Sequence, residues 1–113
     1  MSKALWSRYA ASWSMKEAER LERLTETVSP DITYTDPNIS LAGIAAFSEY
    51  MAGFQANMPG AGFVIKEASD HHERTLSHWD MVDAGKNPIG IGSSFAELTD
   101  DGKLAHITGF YAT

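Results

Sequence analysis

Apolar residues recur at two periods along this chain, and the switch between them divides it. Leu5, Trp6, Tyr9 and Trp13 lie three and four apart, which places them on one face of a helix. In "SMKE", Ser14 and Glu17 form a candidate capping box. It would open a second helix through Ala18, Leu21, Leu24 and Val28, with the charged residues on the other side and Ser29-Pro30 as its stop. "ITYTD", Ile32 to Asp36, changes to alternation and predicts a short strand. "PNISLAG" reads as a loop. A third helix is predicted from Ile44 to Met58 on the stripe Ile44, Phe47, Met51, Phe54 and Met58, ended by Pro59-Gly60. Beyond it, "GFVIKEASDHH", "RTLSHWDMVDAG", "IGIGSSFAEL" and "KLAHITGFYA" predict four strands, separated by turns such as "DAGKN" and "TDDGK".

Two helices, a strand, a helix and then a meander of strands predict an α+β fold, with a twisted antiparallel sheet curling around the helices. No repeat, linker or low-complexity segment interrupts it, so residues 1–113 are expected to form one domain with one core. Composition adds exclusions. The net charge is −6 and no basic cluster interrupts it, which argues against nucleic acid or an anionic membrane as partner. Cysteine is absent, so disulfide and thiolate chemistry are both excluded. The first twenty residues have no long apolar run and soon become charged, unlike a signal peptide or membrane span. The expected location is the cytoplasm.

Asp36 raises the chemical question. Tyr34 and Asp36 share one face of the first strand, because strand side chains alternate. If that face looks outward, Asp36 opens a turn with Pro37 and meets water. If it looks inward, a carboxylate stands in an apolar interior, suited to act as a general base or acid. The histidines suggest no metal. Adjacent His71 and His72 would point to opposite faces of a strand, His78 and His106 fall on the outer face, and no carboxylate–histidine spacing matches a metal motif. Neither metal nor cofactor is expected.

Element order and four local patterns give the chain a resemblance. The patterns are "YAASW" in the first helix, "YTDP" closing the first strand, "MAGFQANMPG" at the end of the third helix, and "DAG…AELTDDGKLAHITGFY" in the last strands. With these the chain resembles the nuclear-transport-factor-2-like superfamily, and within it the SnoaL-like polyketide cyclases and ketosteroid isomerases. The resemblance implies a conical barrel: a curved, mostly antiparallel sheet wrapped around the long third helix, with two N-terminal helices and a pocket at the open end. It implies for Asp36 the role of a proton-moving base, and for Tyr9 that of a hydrogen-bond donor to the enolate oxygen. Where those isomerases carry a protonated aspartate on a late strand, spacing counted from "DAG" reaches Ser94, a weaker donor. An epoxide-hydrolase activity needs an arginine between carboxylates. None of Arg8, Arg20, Arg23 and Arg74 can be placed beside Asp36.

The same alternation assigns Ser77, Trp79 and Met81 to the pocket side of one strand, and Ile107, Gly109 and Tyr111 to that of the last. Trp13 on the first helix and Met51, Phe54 and Met58 on the third complete an apolar, aromatic lining suited to a small hydrophobic molecule. Core packing is the plain alternative for any one of them, and Trp79 is large enough to shrink the cavity. Leu76, His78, Val82, Phe95, His106, Thr108 and Phe110 fall on the outer face, apolar enough to predict a homodimer through the sheet. The leading expectation is proton transfer on an apolar carbonyl compound, of isomerase or cyclase type. The alternatives are a binding module that turns nothing over and a structural dimerisation domain.

Overall fold

The computed structural model describes residues 2–112. Helix α1 (Ser2–Ala10) leads through a 3-10 turn (Ala11–Ser14) into α2 (Glu17–Thr27). Strands β1 (Thr33–Asp36) and β2 (Ile39–Ala42) precede α3 (Ile44–Asn57), and the chain ends with β3 (Gly62–His71), β4 (Arg74–Val82), β5 (Pro88–Leu98) and β6 (Leu104–Tyr111). All six strands form one sheet in the order β2-β1-β6-β5-β4-β3. β1 runs parallel to β6, and every other neighbouring pair is antiparallel. The α+β class and the mostly antiparallel sheet are as the sequence predicts.

The sheet is curved and unclosed. Register shifts at Ile65/Glu67, Met81/Val82 and Phe95/Glu97 insert extra residues, and such bulges bend strands and raise the local twist. Opposite the last of these, His106 takes a positive φ of 52°. The β3–β4 hairpin turns on His72 and Glu73, both with positive φ, the geometry of a two-residue type I′ loop.

The helices cover the concave face. Trp6, Leu24, Ile32, Phe47, Met51, Leu104 and Ile107 are fully buried and join the aromatic ring of Trp13 in one cluster. Each such side chain contributes roughly 1.5–3 kcal/mol by leaving water. Trp6 satisfies its indole N–H by donating to Thr75 Oγ1 at 2.8 Å, so its burial leaves no polar orphan.

Four details depart from expectation. "ISLA" is a strand and not loop; it is a four-residue edge strand in which only Leu41 packs against the core, too short for its Ile39/Leu41 alternation to stand out from the flanking turn residues. Ser14 does not cap α2, because it sits in the 3-10 turn and donates to the Ala61 carbonyl at 3.0 Å, tying the turn to the start of β3. Arg20 does not face solvent with the other charges of α2. It is buried, and donates to Ser48 Oγ at 2.8 Å and to the Met15 carbonyl at 2.7 Å, which links α2 to α3. Val82, expected on the outer face, is buried at the end of β4; the neighbouring bulge adds its extra residue, Ile89, to β5 and leaves the β4 register with β3 unbroken there.

Candidate functional site

At one end of the concave face a cavity of about 900 Å³ opens between the helices and the sheet. Its wall draws on α1, the 3-10 turn, β1, α3 and the four long strands, and nine of its residues are aromatic. Among the described residues, Asp36 and Glu49 are the only charged ones on it. No Lys, Arg or His reaches the wall among the described residues.

Asp36 answers both readings of its sequence. Its side chain is 9% exposed and lies on the cavity wall, inward as the alternation with Tyr34 demands. It also opens the turn, since Oδ1 accepts from the Asn38 backbone N–H at 2.8 Å. Tyr34 donates to Oδ2 at 2.8 Å. Tyr50 shares its proton between Oδ2 at 3.0 Å and Oδ1 at 3.3 Å. All three donors are neutral, so a recessed carboxylate is held by hydrogen bonds without a cationic partner among the described residues. Close by, Asn38 Nδ2 donates to Tyr111 Oη at 2.8 Å, tying the last strand to the β1–β2 turn.

The tyrosines around this carboxylate remain protonated well above their ordinary range. Burial is the main cause for Tyr9, Tyr34, Tyr50 and Tyr111, and the negative charge of Asp36 adds to it in each. Tyr9 differs in how its hydroxyl is spent. It accepts from Trp13 Nε1 at 3.2 Å, and no acceptor among the described residues takes its own proton. Accepting a hydrogen bond polarises a hydroxyl and strengthens it as a donor, so Tyr9 offers the cavity an unused O–H.

The opposite wall depends on a glycine. Trp79 lies flat along the sheet over Gly92, its indole anchored by an Nε1 hydrogen bond to Ser94 Oγ at 3.0 Å. A Cβ on Gly92 would come within 2.3 Å of two indole carbons and 2.8 Å of the Phe110 carbonyl oxygen. Only glycine at this position lets the indole lie down, which is why Trp79 walls the cavity and does not fill it. A Cβ on Gly109 would meet Asp36 Cβ, Ser94 Oγ and Tyr34 Oη at 3.6 Å each, so these three side chains surround one point of the sheet.

Of the predicted site residues, Tyr9, Trp13, Tyr34, Asp36, Phe54, Met58, Trp79, Met81, Ser94 and Tyr111 stand on the cavity wall. Met51, Ser77 and Ile107 do not. Ser77 and Ile107 lie on strands beneath the helices and Met51 lies on the core side of α3, all three fully buried and off the cavity wall. Tyr50, Asn38 and Phe63 were not anticipated. Tyr50 lies three residues after Phe47 and four before Phe54, so the helical stripe could have included it as readily as Met51.

His78 and His106 are exposed on the sheet, and the adjacent pair His71 and His72 falls at the β3–β4 hairpin and not within one strand. His72 belongs to the turn after β3, and its Nδ1 lies 3.2 Å from that of His71, the two rings meeting instead of diverging. Among the described residues no group of three or more His, Asp or Glu is placed to hold a metal ion. Likewise, no described helix is long and apolar enough to cross a membrane.

Residues 6–107 match the family model of the SnoaL-like domain. The chain belongs to the SnoaL-like family. No curated protein matches it significantly in sequence. Solved structures share its shell at low identity, which speaks for the fold alone. A candidate isomerase of the SnoaL-like family from Agrobacterium tumefaciens superposes at TM-score 0.89 with 18% identity, covering 100% of both chains. A candidate polyketide cyclase from Sinorhizobium meliloti superposes at 0.73 with 15% identity, over 94% of this chain and 93% of that one. TerC, co-crystallised with polyporic acid, does so at 0.74 with 14% identity, over 98% and 90%.

Proposed function

We propose that this SnoaL-like protein moves a proton on an apolar, cyclic carbonyl compound, with Asp36 as the base and Tyr9 as the donor to the carbonyl oxygen. One observation carries the reading: a recessed carboxylate and an unspent tyrosine O–H share the wall of one aromatic cavity. Asp36 would take a proton from the carbon beside the carbonyl, and the enolate oxygen would accept from Tyr9. Return of the proton to the same or a conjugated carbon completes the cycle and regenerates the carboxylate. Tyr34 and the Asn38 N–H hold the carboxylate in place through short bonds. The Tyr50 contact is shared and longer, so it is the one a substrate would displace.

Ser94 can add a donor only weakly. Its oxygen accepts from Trp79 just as that of Tyr9 accepts from Trp13, but an aliphatic hydroxyl is less acidic than a phenol and stabilises a developing anion less than a neutral carboxylic acid. Loss of one strong donor at such a site costs about two to three orders of magnitude in turnover, which points away from steroid-isomerase rates. Solution NMR in D₂O tests the reading with 2-tetralone. The protein should exchange the ketone's α-protons faster than buffer does, and Asp36→Asn should lower that rate by at least a hundredfold.

A second reading, a binding module without turnover, draws on a different observation: both Asp36 oxygens are already engaged. The co-crystallisation of TerC with polyporic acid supports a small-molecule site under either reading. Saturable binding of the ketone without exchange, unaltered in affinity by Asp36→Asn, would select the binding module.

A further inference from the structure

The charge pattern of the cavity narrows the chemistry of its occupant. Two carboxylates reach the wall, Asp36 recessed and Glu49 exposed on α3 beside Tyr50, and no cationic side chain accompanies them among the described residues. A recessed carboxylate without a cation is an unusual arrangement, because burying a charge is costly unless an opposite charge offsets it. The rest of the wall is built from aromatic rings. Trp13 alone packs against Tyr34, Tyr50, Phe54 and Phe63 with centroids 5.4–5.9 Å away. Ring faces attract cations through their quadrupoles, most strongly where water is excluded.

We infer that the cavity selects an apolar ring compound bearing a cationic nitrogen, an organic ammonium, over its neutral and anionic counterparts. The inference rests on reading the cavity as a small-molecule site, and it holds whether or not turnover follows. An anionic ligand would bring a third negative charge into a pocket holding two, in a protein of net charge −6. An ammonium instead supplies the charge that Asp36 lacks and places its methyl or methylene groups against rings. In a substrate that also carries a carbonyl, Glu49 at the mouth suits the ammonium end and leaves Asp36 and Tyr9 to the carbonyl end.

Three ligands of one shape test this: benzyltrimethylammonium, its neutral isostere neopentylbenzene, and phenylacetate. Each is titrated against the intact protein, with the fluorescence of its three tryptophans, Trp6, Trp13 and Trp79, all on the cavity wall, as the readout. The ammonium should bind at least tenfold more tightly than neopentylbenzene, and phenylacetate more weakly than either. Asp36→Asn should reduce the ammonium's advantage over neopentylbenzene at least fivefold. If that variant does not fold, Glu49→Gln, at an exposed position, should reduce the same advantage at least twofold. Neopentylbenzene binding as tightly as the ammonium, or an advantage that neither substitution changes, overturns the inference and leaves the small-molecule site standing. Failure of all three ligands to bind overturns both.

Discussion

Gly92→Ala is a single-methyl change whose consequences can be worked out in advance. In a strand interior this substitution ordinarily gains up to about 1 kcal/mol, because alanine has less chain entropy to lose. Here the new Cβ would stand 2.3 Å from Trp79 Cζ2 and Cη2, where ordinary contact begins near 3.4 Å. The Phe110 carbonyl on its other side, at 2.8 Å, is backbone and cannot yield cheaply. The indole must therefore lift by about an ångström, which breaks its bond to Ser94 and swings it into the cavity. Overpacking of this kind costs about 1–3 kcal/mol, and a lost hydrogen bond about 1 kcal/mol more. The melting temperature should fall by roughly 10 °C, and affinity for a neutral ring ligand should fall at least tenfold. Calorimetry and ligand titration measure both. In a Trp79→Ala background the same substitution should cost less, since the indole part of the clash is gone and only the approach to the Phe110 carbonyl remains. A Gly92→Ala protein as stable as its parent, with the cavity still open, would refute the placement of the indole.

Other consequences are as direct. Because all four tyrosines ionise above their usual range, the native protein should show little tyrosinate absorbance at pH 10. The unfolded chain loses those protons first, so stability should fall as pH rises above about 10, and absorbance should rise together with unfolding. Separate, early titration of Tyr9 or Tyr34 would contradict their burial. Arg20→Ala removes one buried and one partly buried hydrogen bond and the α2–α3 link, and should cost about 2–4 kcal/mol by chemical denaturation. Outside the site, Val64, Leu76, Phe95 and Phe110 are all exposed large apolar residues of the sheet, Phe110 at 61%. We propose that a second copy of the chain covers the outer face. Sedimentation at micromolar concentration should give a dimer that Phe110→Glu dissociates, and a monomeric parent would sink that proposal.

Much of this architecture could be read from periodicity, and the failures have physical causes. Alternation identified β1 and the four long strands because one face of each is covered by helices. β2 escaped because four residues flanked by Pro37, Asn38 and Gly43 are too few for the Ile39/Leu41 alternation to outweigh the turn signals. The site was legible in direction but not in depth. Ser77, Trp79 and Met81 share a face of β4, yet Ser77 lies under the helices while the other two reach the open end. Sequence spacing reports which way a side chain points; where the helices stop covering the sheet is a tertiary fact. Trp79 illustrates the same limit, since whether it fills or walls the cavity turns on a glycine in the neighbouring strand. The double role of Asp36 was hidden because turn opening and inward exposure read as rivals, whereas one carboxylate serves both with separate oxygens.

A crystal structure with bound 2-tetralone bears most directly on the proposal that Asp36 and Tyr9 act together on one carbonyl compound. The ketone is expected inside the aromatic cavity, its oxygen within about 3 Å of Tyr9 Oη and its α-carbon within about 3.5 Å of an Asp36 oxygen. A ketone bound with its oxygen turned to the mouth, or outside the cavity altogether, would contradict it.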